Sequence, residues 1–174
     1  MAKRHVAPIV SGRIRLRLLQ EADLPMTMAW RNQEGIRQWF FTSHPITKEE
    51  HRRWFNQYSQ RDDDFVFVIE ETETFHKPVG QAAIYRVDWA GGSAEFGRMM
   101  IGEPVAKRQG LARLATDTLT SYALHTWRLR EVDLKVRSTN VAAVALYQRC
   151  GFLTTDQQGD VVHMRRTAEA GDRR

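Results

Sequence analysis

Two hydrophobic rhythms, of period two and of about 3.6, alternate along the chain. "RIRLRLL" (13–19) alternates charged and apolar side chains, the period-two pattern of a strand with one wet face. Leu24, Met28, Trp30 and Ile36 are loosely helical in spacing, with Gly35 as a break. "PITKEEHRRWFNQYSQ" (45–60) opens on Thr47 and Glu50, spaced as a capping box, and Trp54, Phe55 and Tyr58 then form a helical apolar face. "DFVFVIEE" (64–71), "PVGQAAIYRVDW" (78–89) and "AEFGRMMIG" (94–102) predict three strands. Leu111, Leu114, Ala115, Thr118, Leu119 and Tyr122 then fall on one face of a long amphipathic helix.

"EVDLKVRS" (131–138) predicts another strand, and "NVAAVALYQRC" a short helix closed by Gly151. "FLTTDQ" and "VVHMRR" flank Gln158-Gly159-Asp160 as a closing hairpin. The order is therefore β, α, α, β, β, β, α, β, α, β, β. A strand–helix–strand passage implies a parallel pair, so the class is α/β in the sense of an α+β mixed sheet with helices on its faces.

Bulk composition narrows the partners. With 174 residues the chain is one domain of ordinary size. No apolar run reaches the roughly 20 residues of a membrane helix, so no membrane partner is expected. The start "MAKRHVAPIVSG" lacks the apolar segment of a secretory signal. One cysteine, Cys150, allows no internal disulfide, and a cytoplasmic setting is expected. The net charge of +5 suits nucleic acid or an anionic small molecule. "AKRH" and "GDRR" place part of it at the two ends, where it is expected to be solvating, and no basic run is interleaved with aromatics. Both observations argue against nucleic acid. No cluster of His, Asp or Glu suggests a metal.

"EPVAKRQGLARLA" (103–115) carries the first candidate chemistry. Lys107, Arg108, Gln109 and Gly110 precede the long helix, with Ala112 in its first turn. A helix N-terminus offers unpaired N–H groups and about half a positive charge, and small residues let a phosphate approach the backbone. A basic turn with a packing glycine is the plainer reading of the same residues. The second stretch, "NVAAVALYQRCGF" (140–152), follows a strand. Asn140 can cap its helix, and Tyr147 sits two turns on.

Together "KRQGLA" and "NVAAVALYQRCGF" resemble the GNAT superfamily of acyl-CoA-dependent N-acetyltransferases. The resemblance implies a mixed, mostly antiparallel sheet of about seven strands, splayed in the middle and flanked by about four helices. It spans 13–166, leaving 1–12 and 167–174 as tails. It implies acetyl-CoA as acyl donor, held by Met100, Ile101, Gly102, Lys107, Arg108, Gln109, Gly110, Leu111, Ala112, Arg113, Asn140 and Tyr147. Lys107 departs from the family's usual Gln or Arg at the first loop position. The resemblance makes Tyr147 the acid that protonates the leaving thiolate, against a plain core tyrosine. Gly97 marks either a bulge or a packing contact. The general base is open: Lys135 stands where some members carry a glutamate, which leaves Glu95 and His44.

Acceptor identity rests on residues 20–60, rich in aromatics and arginines. The layout resembles members that acetylate nucleotide-linked amino sugars, with Trp30, Asn32 and His44 as substrate-facing positions. Its opening also resembles enzymes that acetylate N-terminal α-amines of ribosomal proteins, and a non-catalytic CoA- or nucleic-acid-binding module is a third alternative. A lysine amine is neutral in only about one molecule in 2,500 at pH 7, an amine of pKa near 8 in roughly one in ten. Lacking the glutamate therefore leans toward a low-pKa amine. A homodimer stays open.

Overall fold

The computed structural model describes residues 2–168. Eight strands form one sheet in the order β1-β2-β3-β4-β5-β6-β8-β7. In chain order they are β1 (Ile9–Ser11), β2 (Ile14–Leu18), β3 (Asp64–Glu71), β4 (Lys77–Asp88), β5 (Ser93–Ile101), β6 (Glu131–Arg137), β7 (Leu153–Gln158) and β8 (Val161–Thr167). The helices are α1 (Leu24–Asn32), α2 (Glu34–Arg37), α3 (Lys48–Tyr58), α4 (Leu111–His125) and α5 (Val141–Arg149). Every pairing is antiparallel except β5 with β6. None of the described helices is long and apolar enough to cross a membrane.

β3 shows why the sheet is covered on both faces. Its run "DFVFVIEE" is apolar at consecutive positions because neither side meets water. Phe65, Phe67 and Ile69 join the larger core with Leu111, Ala115 and Leu119 of α4. Val66 and Val68 point the other way, into a second core with Leu24 and Tyr58. Fully burying each such side chain contributes about 1.5–3 kcal/mol. The capping box forms as its spacing requires: Glu50 N–H donates to Thr47 Oγ1, and Thr47 N–H donates to Glu50 Oε2 at 2.7 Å. Gly151 has φ +85°, the left-handed conformation that ends α5. On α4, Thr116 and Thr120 are also buried, because each hydroxyl donates to the carbonyl four residues back, at 2.7 Å.

Three expectations change. The sheet has an eighth strand, β1, too short to show a period. The helical stretch after residue 20 splits into α1 and α2 at Gln33, whose ψ of 131° is extended, rather than at Gly35. Residues 2–11 are no solvated tail. The Lys3 ammonium lies 3.9 Å from the Tyr58 ring centroid and donates to the Asp64 carbonyl. Arg4 pairs with Asp62 at 2.9 Å and covers the Trp89 ring. Val6 is buried. The terminal charges are held by an acidic turn and by aromatic faces. At the other end, Thr167 closes β8 and Ala168 packs on the core. The remainder of the expected C-terminal tail lies outside the described residues.

Candidate active site

β5 and β6 pair only at Ser93–Glu131, Ala94–Val132 and Glu95–Asp133. Beyond Glu95 the two strands part, and a cleft opens between Phe96–Ile101 and Leu134–Arg137. β5 is also bulged against β4. Ala82 alone spans the interval in which β5 supplies both Arg98 and Met99. Arg98 takes φ +52°, unfavourable for a side chain with a Cβ. It is held there by Asp64, with Nη1–Oδ1 at 2.6 Å and Nη2–Oδ2 at 3.1 Å, and by the Tyr85 ring at 4.4 Å. Gly97 is not the bulged residue. A Cβ on it would lie 2.9 Å from Tyr85 Oη, so the packing reading accounts for this glycine.

Beyond the bulge, the register fixes which backbone groups remain free. Gly102 N–H donates to Val79 O at 2.8 Å, which spends one of the three donors expected at the strand end. Met100 faces Gln81 and Ile101 faces Gly80. Antiparallel pairs alternate between bonded and non-bonded, so Ile101 turns its N–H and C=O away from β4, into the cleft.

Next comes the cradle. Residues 107–110 are exposed, and both Arg108 and Gly110 have positive φ, at +59° and +75°. Gly110 is the N-cap of α4 and supplies no side-chain cap. The N–H groups of Leu111, Ala112 and Arg113 therefore point out of the helix without an intrahelical acceptor. Nothing lies within 4 Å of a Cβ built on Gly110. The Leu111 side chain is buried in the core, so only its backbone is on offer. Arg13 steadies the loop from β2's side by donating to Gln109 O. Open space, small residues and oriented donors fit a pyrophosphate.

α5 closes the other side of the cleft. Asn140 caps it, its Oδ1 accepting from Ala143 N–H at 3.3 Å. Tyr147 packs edge-on to Phe96 and Phe152, with ring centroids 6.0 and 6.1 Å away. It is half-buried, and burial pushes its phenol above the ordinary value of 10. The phenol thus stays protonated in neutral solution. Two cavities of about 270 and 260 Å³ share Trp39, Phe40, Met99, Asn140, Ala143 and Tyr147 as walls, and Ala112 and Ile101 line the first.

A third cavity, of about 420 Å³, lies on the α1–α3 side. Arg31, His44, Glu50, His51 and Trp54 contribute to its walls. Phe40 and Met100 border both it and the first cavity, and Phe40, Thr42 and Arg98 border both it and the second. Two compartments thus meet at the bulge.

The chain matches the family described as "Acetyltransferase (GNAT) domain" over residues 13–153. It belongs to the GNAT acetyltransferase family. It is 24% identical over 144 residues to spermidine N(1)-acetyltransferase of Vibrio cholerae, covering 83% of this chain and 81% of that protein. The crystal structure of spermidine N-acetyltransferase from V. cholerae in complex with CoA and spermine superposes with a TM-score of 0.80 at 24% identity, over 90% of this chain and 96% of that one. A domain from Methanocaldococcus jannaschii superposes at 0.79 with 20% identity, over 91% and 100%. The chain is an acetyl-CoA-dependent N-acetyltransferase of GNAT type.

The GNAT frame sorts the expected residues. The cleft gathers Ile101, Ala112, Asn140 and Tyr147 along its walls, with the 107–110 loop leading into α4. Of the two candidate bases, His44 lines the acceptor-side cavity and is exposed. Glu95 lines none of these three cavities and pairs instead with Arg86 at 2.7 Å. Trp30 lines none of these three cavities. It is 3% exposed and lies under Gly102, where a Cβ would sit 2.0 Å from Trp30 Cγ. Its indole N–H donates to Glu103. Asn32 spends its amide on the Ile46 backbone, donating at 2.9 Å and accepting at 2.8 Å. That pairing positions the loop. Cys150 is a buried thiol, raised by burial, against the Arg113 carbonyl.

Arg31, His51 and Arg98 were not among the expected site residues. His51 stacks parallel on Trp54, 5.3 Å between centroids, with Nε2 3.0 Å from Thr27 Oγ1. Burial pulls its pKa down, which favours the neutral ring. Arg98 left one readable sign, a charge inside the apolar strand "FGRMM".

Proposed function

We propose that this GNAT enzyme acetylates the primary amine of a small, negatively charged molecule, preferably a nucleotide-linked amino sugar. The carrying observation is the acceptor-side cavity, which meets the cofactor cleft at Phe40 and Met100. Its walls hold two arginines and two histidines against one carboxylate, Glu50. That carboxylate accepts the N-cap bond of α3. Phe40 and Trp54 add apolar aromatic surface to the walls, the Trp54 ring being stacked already with His51 and Tyr58.

In this reading acetyl-CoA lays its pyrophosphate on the α4 N-terminus and its pantetheine arm along Ile101. Acetyl-CoA supplies the acyl group. Tyr147 holds the proton for the departing sulfur. His44, on the acceptor-side wall, serves as the base that takes a proton from the amine. Lys135, on the cleft wall of β6, leaves no carboxylate there, which suits an amine that is partly neutral without help.

A polyamine acceptor is the rival reading, and the V. cholerae relatives favour it. The deciding experiment follows thiol release from acetyl-CoA with UDP- and dTDP-linked amino sugars, spermidine and short peptides. Turnover concentrated on the nucleotide sugars upholds the proposal. Turnover confined to spermidine or to peptides overturns the acceptor assignment and leaves the family intact.

A further inference from the structure

Arg31 lies in the last turn of α1 and is only 8% exposed. Its Nη2 donates to the Thr42 carbonyl, and its guanidinium carbon lies 4.1 Å from the Phe40 ring centroid. Its Nη1 is buried and has no hydrogen-bond partner among the described residues. None of the described carboxylates forms an ion pair with it. Burial, and after it the like-signed Arg37, pull the guanidinium down from its ordinary range.

Such a group is costly. A buried charge without an anion loses its hydration and gains nothing in return. Anchoring the 38–47 loop explains Nη2 alone, and a single donor such as a lysine or glutamine amide could do that. The second arm of the fork needs another explanation, and Arg31 lines the acceptor-side cavity. The other charges there are already matched. Arg98 is paired with Asp64, and Glu50 closes its capping box. His51 is favoured in its neutral form by burial. The uncompensated permanent charge on this wall is therefore Arg31. A planar guanidinium suits the oxygens of a phosphate or carboxylate.

We propose that Arg31 is a specificity-determining residue that binds an oxyanion of the amine acceptor through its guanidinium and so discriminates against polyamines. This rests on the reading of this cavity as the acceptor site. A polyamine would bring further positive charge to a wall that already carries an unmatched one.

The test uses the full chain saturated with CoA, so that the α4 cradle is filled. Calorimetry measures binding of inorganic pyrophosphate and of succinate, which separates a phosphate from a carboxylate as the anion. Wild type is expected to bind at least one of them. Arg31→Met is expected to weaken it tenfold or more, and Arg31→Lys to recover part of the loss. In turnover, Arg31→Met should raise KM for an anionic amine at least tenfold while leaving KM for acetyl-CoA unchanged. Unchanged acetyl-CoA binding by each variant controls for folding, and Arg31→Lys carries the comparison if Arg31→Met does not fold. Failure of wild type to bind either anion overturns the proposal, as does equal binding by the Arg31 variants or a spermidine KM at or below that of the anionic amines. Arg31-dependent anion binding without turnover of any amine keeps the clamp and removes the acceptor reading instead.

Discussion

Replacing Tyr147 by Phe separates chemistry from packing, because the two roles of this side chain use different atoms. The ring packs on Phe96 and Phe152. Tyr147 lines both small cavities, and its hydroxyl takes no part in those ring contacts. Removing it leaves both ring contacts in place, so the stability change should stay within about 0.5 kcal/mol. For a chain of this size that is about 1–2 °C in Tm. The kinetic effect should be far larger. Proton donation by a positioned side chain is worth about 10²–10⁴ in rate, or about 2.7–5.5 kcal/mol of barrier. Because burial raises the Tyr147 phenol, it is a reluctant donor, and we expect the lower end, about 10²-fold in kcat. Single-turnover thiol release at saturating acetyl-CoA isolates the chemical step, with a thermal melt beside it. A variant that melts like wild type but releases thiol about 10²-fold more slowly upholds the acid. A variant within twofold of wild type in rate refutes it and returns Tyr147 to the core.

Three further outcomes follow from the geometry. Gly110→Asp places a carboxylate at a φ of +75° in front of the α4 donors, and calorimetry should show acetyl-CoA binding abolished with the fold retained, since the position faces open space. Gly102→Ala drives a Cβ to 2.0 Å from Trp30 Cγ. Overpacking of this kind costs about 3 kcal/mol, which should lower Tm by about 6–12 °C. His51 has a depressed folded pKa because burial disfavours its charged ring. Below about pH 6.5 the unfolded chain binds the extra proton first. The stability His51 contributes is thus present above that pH and lost as pH falls through its folded value. Denaturant titrations should show a shallower decline between pH 6.5 and 5 in His51→Gln.

Local rules carried most of the fold. The Thr47–Glu50 box, the face of α4 and the cap at Gly151 each depend on residues within a turn or two of one another, and the chain states them openly. The start of α4 at Gly110 was legible for the same reason. Side-chain direction was not. Trp30 and Asn32 have the residue types of a ligand pocket, yet Gly102 opens a slot that swallows one and the Ile46 backbone occupies the other. Arg98 depends on Asp64, 34 positions earlier, and Arg31 is buried only once the 38–47 loop folds back over it. Partnerships at that range are decided by the sheet register, and no spacing in the sequence announces them.

The way the 38–47 loop is fastened also bears on how such an enzyme changes its diet. Asn32 grips the loop through the N–H and C=O of Ile46, Arg31 through the Thr42 carbonyl, and Arg37 through the Ser43 carbonyl. Each of these tethers ends on main chain, which is the same whatever side chain the position carries. The wall can therefore be rewritten at Thr42 or Ile46, while its path over the cavity and the base candidate His44 are kept. Libraries confined to those side chains offer a route to new amines that leaves the acyl-donor half of the molecule untouched.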